Sequence, residues 1–471
     1  MSFSFWNKVI ISGLLVLTAC NKPQNYTWVV STDDNRWVQK SAPVVAVDGN
    51  HIDESFDIYP EKTHQEIFGF GGCFNELGWD ALQLVEPEIQ DSIMQAFFEP
   101  GNGFNFNICR MPIGANDYAR SWYSLNDTPG DFAMEHFNIE RDKTTLIPYI
   151  KMAMEYNPQL KVWGSPWCPP AWMKTNNHYA CRPDVVNDLT PEGAGQEGVT
   201  QFIMEEPYLK AYADYFVKYV DNYRDQGIDV YAVHVQNEPN SCQNFPSCIW
   251  TPEELAIFMG IYLGPALDSN FPDLELWYGT VERPFIEHVD VVLQDKEASK
   301  YIDGVGFQWA GKEAIPKVNE KYPEMDLMQT ETECGDGSND WSAAEYTWNL
   351  IKHYLNNGAN SYLYWNLILN ETGKSQWGWK QNSLITVNSE TKEVTFNPEY
   401  HLFKHLTHFV GAGSHKLETS DEDILAFKTP DDKVVIIYVN ESPDNKVVSF
   451  NVGEKSVSIV AEGKSFNSLE I

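Results

Sequence analysis

The chain has 471 residues, 43% of them hydrophobic, and its 67 acidic and 33 basic side chains give a formal net charge of −34 at pH 7. That excess of negative charge argues against nucleic acid or an anionic surface as a partner, and a neutral ligand suits it better. The length exceeds one ordinary domain and fits a β/α barrel, which takes roughly 250 residues or more, with one small further domain. The 16 Trp and 23 Tyr are core material first, but a surplus in loops also provides surfaces on which sugars stack.

The first residues read as an export signal. Lys8 supplies a positive charge, Val9 to Leu17 is an apolar stretch too short to span a bilayer, and Leu17-Thr18-Ala19-Cys20 is a small-residue cleavage site. These four residues resemble a bacterial lipobox, which implies cleavage before Cys20 and lipidation of its thiol. Residues 1–19 are then a lipoprotein signal peptide, and the protein is expected on the bacterial cell envelope, facing the periplasm or the outside. Its membrane contact would be through the lipid anchor alone. Lipidation of Cys20 leaves an odd number of other cysteines, so at least one thiol is free. Cys242 with Cys248, and Cys168 with Cys181, each flank a segment that a disulfide could close, whereas Cys73 and Cys109 lie on strands as buried thiols. No spacing reads as a metal site, and neither a metal nor a cofactor is expected.

Alternation of apolar residues at Val44, Val45 and Val47, and then at Ile52, Phe56 and Ile58, predicts strands near the N-terminus. From Gly411 onward, short strands recur around Ile424, Val434, Val447 and Val457, separated by turn-forming residues. The N-terminal piece is too small to bury a core alone. Residues 20–64 and 409–471 are therefore expected to build one β-sandwich from both chain ends.

Between them, residues 65–408 alternate strand, loop and helix. Strands are expected at 67–71, 105–110, 160–164, 230–236, 274–278, 305–308, 325–330 and 362–365. The clearest helix spans 207–224, with Tyr208, Tyr212, Tyr215, Phe216 and Tyr219 on one face. Eight strands with helical crossovers define an α/β fold, a (β/α)8 TIM barrel carrying an attached β-sandwich.

Two of these strands lead to carboxylates. The fourth runs into Gln236-Asn237-Glu238-Pro239 and the seventh ends on Thr330-Glu331. Barrels place their chemistry at these C-terminal strand ends. A retaining glycosidase needs two carboxyls roughly 5–5.5 Å apart, one protonated and one ionised. The fourth and seventh strands lie nearly across a closed barrel, so long side chains at their ends can converge. Asn237 stands where an amide could bond the sugar's 2-hydroxyl.

Several further stretches carry a resemblance. They are Phe70-Gly71-Gly72; Arg110-Met111-Pro112-Ile113-Gly114 with Asp117; the run from Ser165 to Asn176; Gln236-Asn237-Glu238-Pro239; Thr330-Glu331; and Trp365-Asn366-Leu367. In this order they resemble glycoside hydrolase family thirty, which includes glucosylceramidases, endo-β-1,6-glucanases and xylan-cleaving enzymes. The resemblance implies a retaining mechanism with Glu238 as acid/base and Glu331 as nucleophile. It places Arg110 beside the nucleophile, keeping it ionised. It places Asp117, Trp167, Asn237, Trp365 and Asn382 at substrate-contacting positions. Glu333 is a second carboxylate near the nucleophile position, but Glu331 ends the apolar strand and stands in the family's register. The glucosylceramidase-like members carry His-Trp after the sixth strand, where this chain has Gln308-Trp309, and both are expected to meet substrate. That difference and the lipobox favour an endo-acting β-1,6-glucanase, a monomer acting on a β-linked glucan. A β-glucosidase or glucosylceramidase-like exo-hydrolase is the alternative among enzymes. A hydrolase of acidic xylan is disfavoured, because the loops after Glu238 and Glu331 are poor in arginine. From another class, a non-catalytic glycan-binding lipoprotein on a barrel scaffold would be free to lose a carboxylate, and this chain keeps both.

Overall fold

The computed structural model describes residues 26–40 and 51–471. The export segment with Cys20, and Val44, Val45 and Val47, lie outside the described residues.

Both chain ends enter one β-sandwich. Thr27–Thr32 pairs antiparallel with the last strand, Ser465–Glu470, with Val29 opposite Ser468. The long strand Glu54–Glu66 runs parallel to Lys446–Val452 and antiparallel to His415–Thr419. Side chains two apart share a face of a strand. Trp28 with Val30, and Phe56 with Ile58, therefore turn inward together onto Ile436, Phe450 and Ile459. The unbroken apolar run Val434–Asn440 has a separate cause. Val434, Ile436 and Tyr438 fill this sandwich core, whereas Val435, Ile437 and Val439 pack against the barrel side.

His405 joins the two units. It lies on the helix Pro398–Thr407, is fully buried, and its ring nitrogens meet Ser468 Oγ at 2.8 Å and Ser31 Oγ at 2.9 Å. Burial holds its pKa well below the usual range, so the ring is neutral, with one nitrogen donating and the other accepting.

The barrel is closed and parallel. In chain order its strands are Gly69–Cys73, Ile108–Pro112, Lys161–Ser165, Val230–His234, Glu275–Val281, Ile302–Gln308, Asp326–Glu331 and Ala359–Asn366. The eighth closes on the first, with Tyr362 opposite Phe70. The expected positions hold with shifts of a few residues. The sixth begins earlier than periodicity indicated, because Gly304 and Gly306 hide it. A Cβ at Gly304 would stand 2.5 Å from the Trp277 ring, and one at Gly306 would stand 2.9 Å from His234. Those rings fill the barrel interior, where His234 stacks on Trp163 with centroids 3.9 Å apart and on Trp277 at 5.2 Å. The interior below the site is thus solid, which fixes the strand ends above it.

The helix Glu206–Asp225 buries Tyr212, Tyr215, Phe216, Tyr219 and Tyr223 against the barrel. The cysteines leave both possible disulfides unformed. Among the described residues all seven are free thiols. Cys168 Sγ turns to the Pro169 carbonyl and Cys248 Sγ to that of Ile249, whereas Cys181 meets Gln201 Oε1 and Cys242 the Gly195 carbonyl. Neither expected pair is joined.

His405→Ala removes one hydrogen-bond partner from each of Ser31 and Ser468 and leaves these buried hydroxyls less satisfied. A loss of roughly 1–3 kcal/mol is expected, read as a lower urea midpoint with an unchanged slope.

Candidate active site

The site is built around Arg110, the middle residue of the second barrel strand, whose side chain has no solvent exposure. An uncompensated guanidinium could not remain there. Its nitrogens donate to Ser165 Oγ at 2.9 and 3.1 Å, Asn237 Oδ1 at 2.6 Å, Gln308 Oε1 at 3.2 Å and Glu331 Oε2 at 3.0 Å. Its planar head lies 4.3 Å from the centre of the Trp167 ring. One cation thus ties the second, third, sixth and seventh strands to the turn after the fourth.

Glu331 ends the seventh strand and is nine-tenths buried. Besides Arg110 it accepts from Trp309 Nε1 at 3.1 Å and Gln308 Nε2 at 3.3 Å. The neighbouring Glu333 is committed elsewhere, to Lys312 at 2.6 Å and to the Tyr346 hydroxyl at 2.6 Å.

The fourth strand stops at His234, four residues short of Glu238. The chain continues in contact with the fifth strand, since Gln236 N donates to the Gly279 carbonyl and Thr280 N to that of Gln236. Glu238 takes a left-handed backbone, φ 46°, and so does Trp309, φ 49°. Bulky residues adopt this conformation rarely, and here two of them border the same cavity. Glu238 Oε1 accepts from Gln308 Nε2 at 3.0 Å and Oε2 from Gln243 Nε2 at 3.5 Å. One amide nitrogen of Gln308 therefore reaches both glutamates. Carboxyl oxygens that share a donor are too close for the ~6.5–9.5 Å spacing of an inverting site.

Burial in this cleft raises both carboxyls, Glu331 to about 7. The Arg110 guanidinium opposes that rise at Glu331 by direct contact, whereas Glu238 receives hydrogen bonds only from neutral amides. Contact with Arg110 favours the negative charge on Glu331, and Glu238, with no cation in contact, is the carboxyl better placed to hold a proton.

The remaining expected residues divide into two groups. Asp117, Trp167, Asn237 and Trp309 line a cavity of about 620 Å³ together with both glutamates. Asn237 Oδ1 is taken by Arg110, by the Thr280 hydroxyl at 3.1 Å and by Gln308, while its Nδ2 has no partner among the described residues. Asp117 Oδ1 also lacks a partner, and burial with the charges of Glu331 and Glu238 pushes its pKa well up.

Gln308, Trp365 and Asn382 lie behind the wall, which corrects their expected contact with substrate. Gln308 is fully buried and spends its amide on Arg110, Thr330, Asn237 and the two glutamates. Trp365 is fully buried and stacks on Trp167, centroids 5.3 Å apart. Asn382 donates to Glu399 at 3.0 Å and accepts from the Gly337 and Asn339 N–H groups, which shapes the loop beside the cavity.

Sequence reasoning missed Arg182, Ser241, Gln243, Glu282, Arg283, Lys312, Trp379 and Lys380, which also line the cavity. They come from segments without a periodic signal. Four of them are basic and face the four acidic residues of the lining, Asp117, Glu238, Glu282 and Glu331.

Comparison with known proteins agrees with this geometry. Residues 67–410 match the glycosyl hydrolase family 30 TIM-barrel domain, and residues 410–469 match that family's beta sandwich domain. The chain belongs to glycosyl hydrolase family 30 and is a glycosidase. It is 27% identical to the lysosomal acid glucosylceramidase of Mus musculus over 416 residues, covering 82% of this chain and 77% of that protein. It is also 27% identical to an endo-1,6-beta-D-glucanase of Aspergillus fumigatus over 380 residues, covering 76% and 72%. Among solved structures, SrfJ from Salmonella typhimurium superposes with a TM-score of 0.84 at 22% identity, covering 95% of this chain and 99% of that one. An endo-beta-1,6-glucanase superposes with a TM-score of 0.80 at 24% identity, with the same coverage.

Arg110→Met should cost roughly 3–5 kcal/mol, because it breaks a buried pair and strands the acceptors around it. Part of the deficit depends on pH. Without the guanidinium, Glu331 keeps its proton to higher pH in the folded state, whereas wild-type Glu331 ionises at about 7. Urea midpoints at pH 6 and pH 8 should show a larger deficit at pH 8.

Proposed function

We propose that the chain is an exported, lipid-anchored endo-acting hydrolase of β-1,6-glucan, in which Glu331 is the nucleophile and Glu238 the acid/base. The observation that carries the mechanism is the single Gln308 nitrogen in reach of two carboxyls with unlike partners.

Glu331, held ionised against Arg110, attacks the anomeric carbon and forms a glycosyl ester. Glu238 donates its proton to the departing oxygen in the same step. With the leaving sugar gone, Glu238 takes a proton from water, which attacks the anomeric carbon and releases Glu331 with net retention. Trp309, donating to Glu331 Oε1, and Arg110, on Oε2, keep the carboxylate oriented through both steps. Asn237 presents its Nδ2 to the 2-hydroxyl, and Asp117 accepts from a hydroxyl of the same sugar. Trp167 provides an apolar wall against the ring.

The 1,6 linkage and internal cleavage rest on the fungal endo-1,6-beta-D-glucanases among the relatives, together with a cavity mouth that offers hydrogen-bonding groups beside the rings of Trp167, Trp309 and Trp379, suited to a hydroxyl-rich chain. Digestion of β-1,6-, β-1,3- and β-1,4-glucans should give early oligosaccharides of mixed length from the β-1,6 polymer alone. Glucose as sole early product, or preference for another polymer, contradicts this reading.

Glu238→Gln keeps the shape but has no proton to give. Turnover of glucan should fall by about 10²–10⁴-fold. A dinitrophenyl glycoside, whose leaving group departs unaided, should still show a burst of phenolate followed by slow turnover. Equal loss on both substrates without a burst would remove Glu238 from the acid/base role.

The anchor rests on the lipobox alone. Cys20→Ala should move the protein from the membrane to the soluble fraction with its kcat/KM intact, and retention on the membrane would refute lipidation.

A further inference from the structure

Glu282 has no part in the reaction just described, yet it lines the same cavity. It follows the fifth barrel strand directly and is 1% exposed. Its Oε1 accepts from Asn240 N at 2.9 Å and from the Ser241 hydroxyl at 3.0 Å. Both partners sit just past Glu238, so this oxygen clamps the turn that carries the acid/base. The clamp leaves the second oxygen unexplained. Oε2 is buried and has no partner among the described residues. A buried carboxyl oxygen at a cavity wall is unfavourable unless a polar group meets it.

The contacts with Asn240 and Ser241 place Glu282 beside the turn that carries the acid/base, on a cavity wall that Arg283 shares. In a retaining glycosidase the leaving group departs on the side of the proton donor. We propose that Glu282 Oε2 binds a hydroxyl of the leaving-group sugar and makes Glu282 a specificity-determining residue for the glycan on that side of the scissile bond.

This rests on Glu238 being the acid/base. Burial raises Glu282 to about 8, so it is a neutral acid at pH 7 and adds no further negative charge to the pair. A protonated carboxyl both donates and accepts, as a sugar hydroxyl does. Arg283, paired with Glu197 at 2.6 Å, frames the same flank. The ligand this arrangement fits is a pyranose with free hydroxyls; an alkyl chain, whose only oxygen is the glycosidic one, offers Oε2 no partner.

The test compares two substrates with one glycone, one releasing glucose and the other releasing hexanol, which needs the same proton from Glu238 but carries no further hydroxyl. Wild type, Glu282→Ala and Glu282→Gln are assayed on both, with thermal melts to confirm folding. Glu282→Ala should lose at least about tenfold more kcat/KM on the glucose-releasing substrate than on the hexyl one, mainly through KM. Glu282→Gln keeps an acceptor for the clamp and places N–H donors where Oε2 stands, so it should recover most of that difference. Should Glu282→Ala not fold, Glu282→Met fills similar volume without hydrogen bonds and carries the same comparison. Equal losses on both substrates would make Glu282 a clamp that acts only through Glu238, and no loss on either would remove it from the site; each outcome overturns the proposal. If wild type prefers a linkage other than β-1,6, the comparison runs on the disaccharide it does cleave. If Glu238→Gln keeps its glucan activity, the acid/base reading fails independently of the Glu282 result.

Discussion

The site depends on one buried positive charge. Arg110 has no access to water, and its hydrogen-bonding capacity is spent on Ser165, Asn237, Gln308, Thr330 and Glu331. A guanidinium fits this task because its donors form a rigid plane, and a lysine in its place would serve fewer acceptors. The cation favours ionisation of Glu331 within a dry cleft, while Glu238 has no such contact. The opposite roles proposed for the two rest on these unlike surroundings of the same side chain.

Gln308 transmits that asymmetry. Its carbonyl accepts from Arg110 and Thr330, which turns its amide nitrogen toward both glutamates. Rotation of the amide would turn its one oxygen toward the two carboxyls and its N–H donors toward the guanidinium, so the donors around the carbonyl determine its orientation. The rings beneath add stiffness. Trp365 supports Trp167, which lies against the guanidinium, and the stacked Trp163, His234 and Trp277 fill the interior below. The sandwich contributes from a distance, through Val435 and Ile437 packed on the barrel side and through His405, which spans Ser31 and Ser468.

Much of this was legible in the chain. Strand-length apolar runs marked the barrel, and the carboxylates after the fourth and seventh strands marked the cleft. Local pattern blurred where tertiary packing overrode it. Gly304 and Gly306 carry no strand propensity and are there because rings occupy the space a Cβ would take. The fates of Trp365 and Asn382 could not be read either, since a tryptophan at a strand end looks alike whether it faces a cavity or supports the residue that does. Glu282 was missed because a glutamate in a loop carries no periodicity, and its importance lies in burial beside Glu238. The cysteine pairs failed for a related reason: closeness along the chain says nothing of where sulfurs point, and each of those thiols turns to its own acceptor.

The central claim is that Glu331, ionised by Arg110, is the atom donor to a covalent intermediate. A 2-deoxy-2-fluoro-β-glucosyl or gentiobiosyl fluoride slows both steps and lets that ester accumulate. Incubation with the wild-type enzyme, digestion and peptide mass spectrometry should find one fluoroglycosyl unit on the peptide containing Glu331, located on Glu331 itself by fragmentation. A label on Glu333 or Glu238, or time-dependent inactivation without any covalent label, would contradict the account.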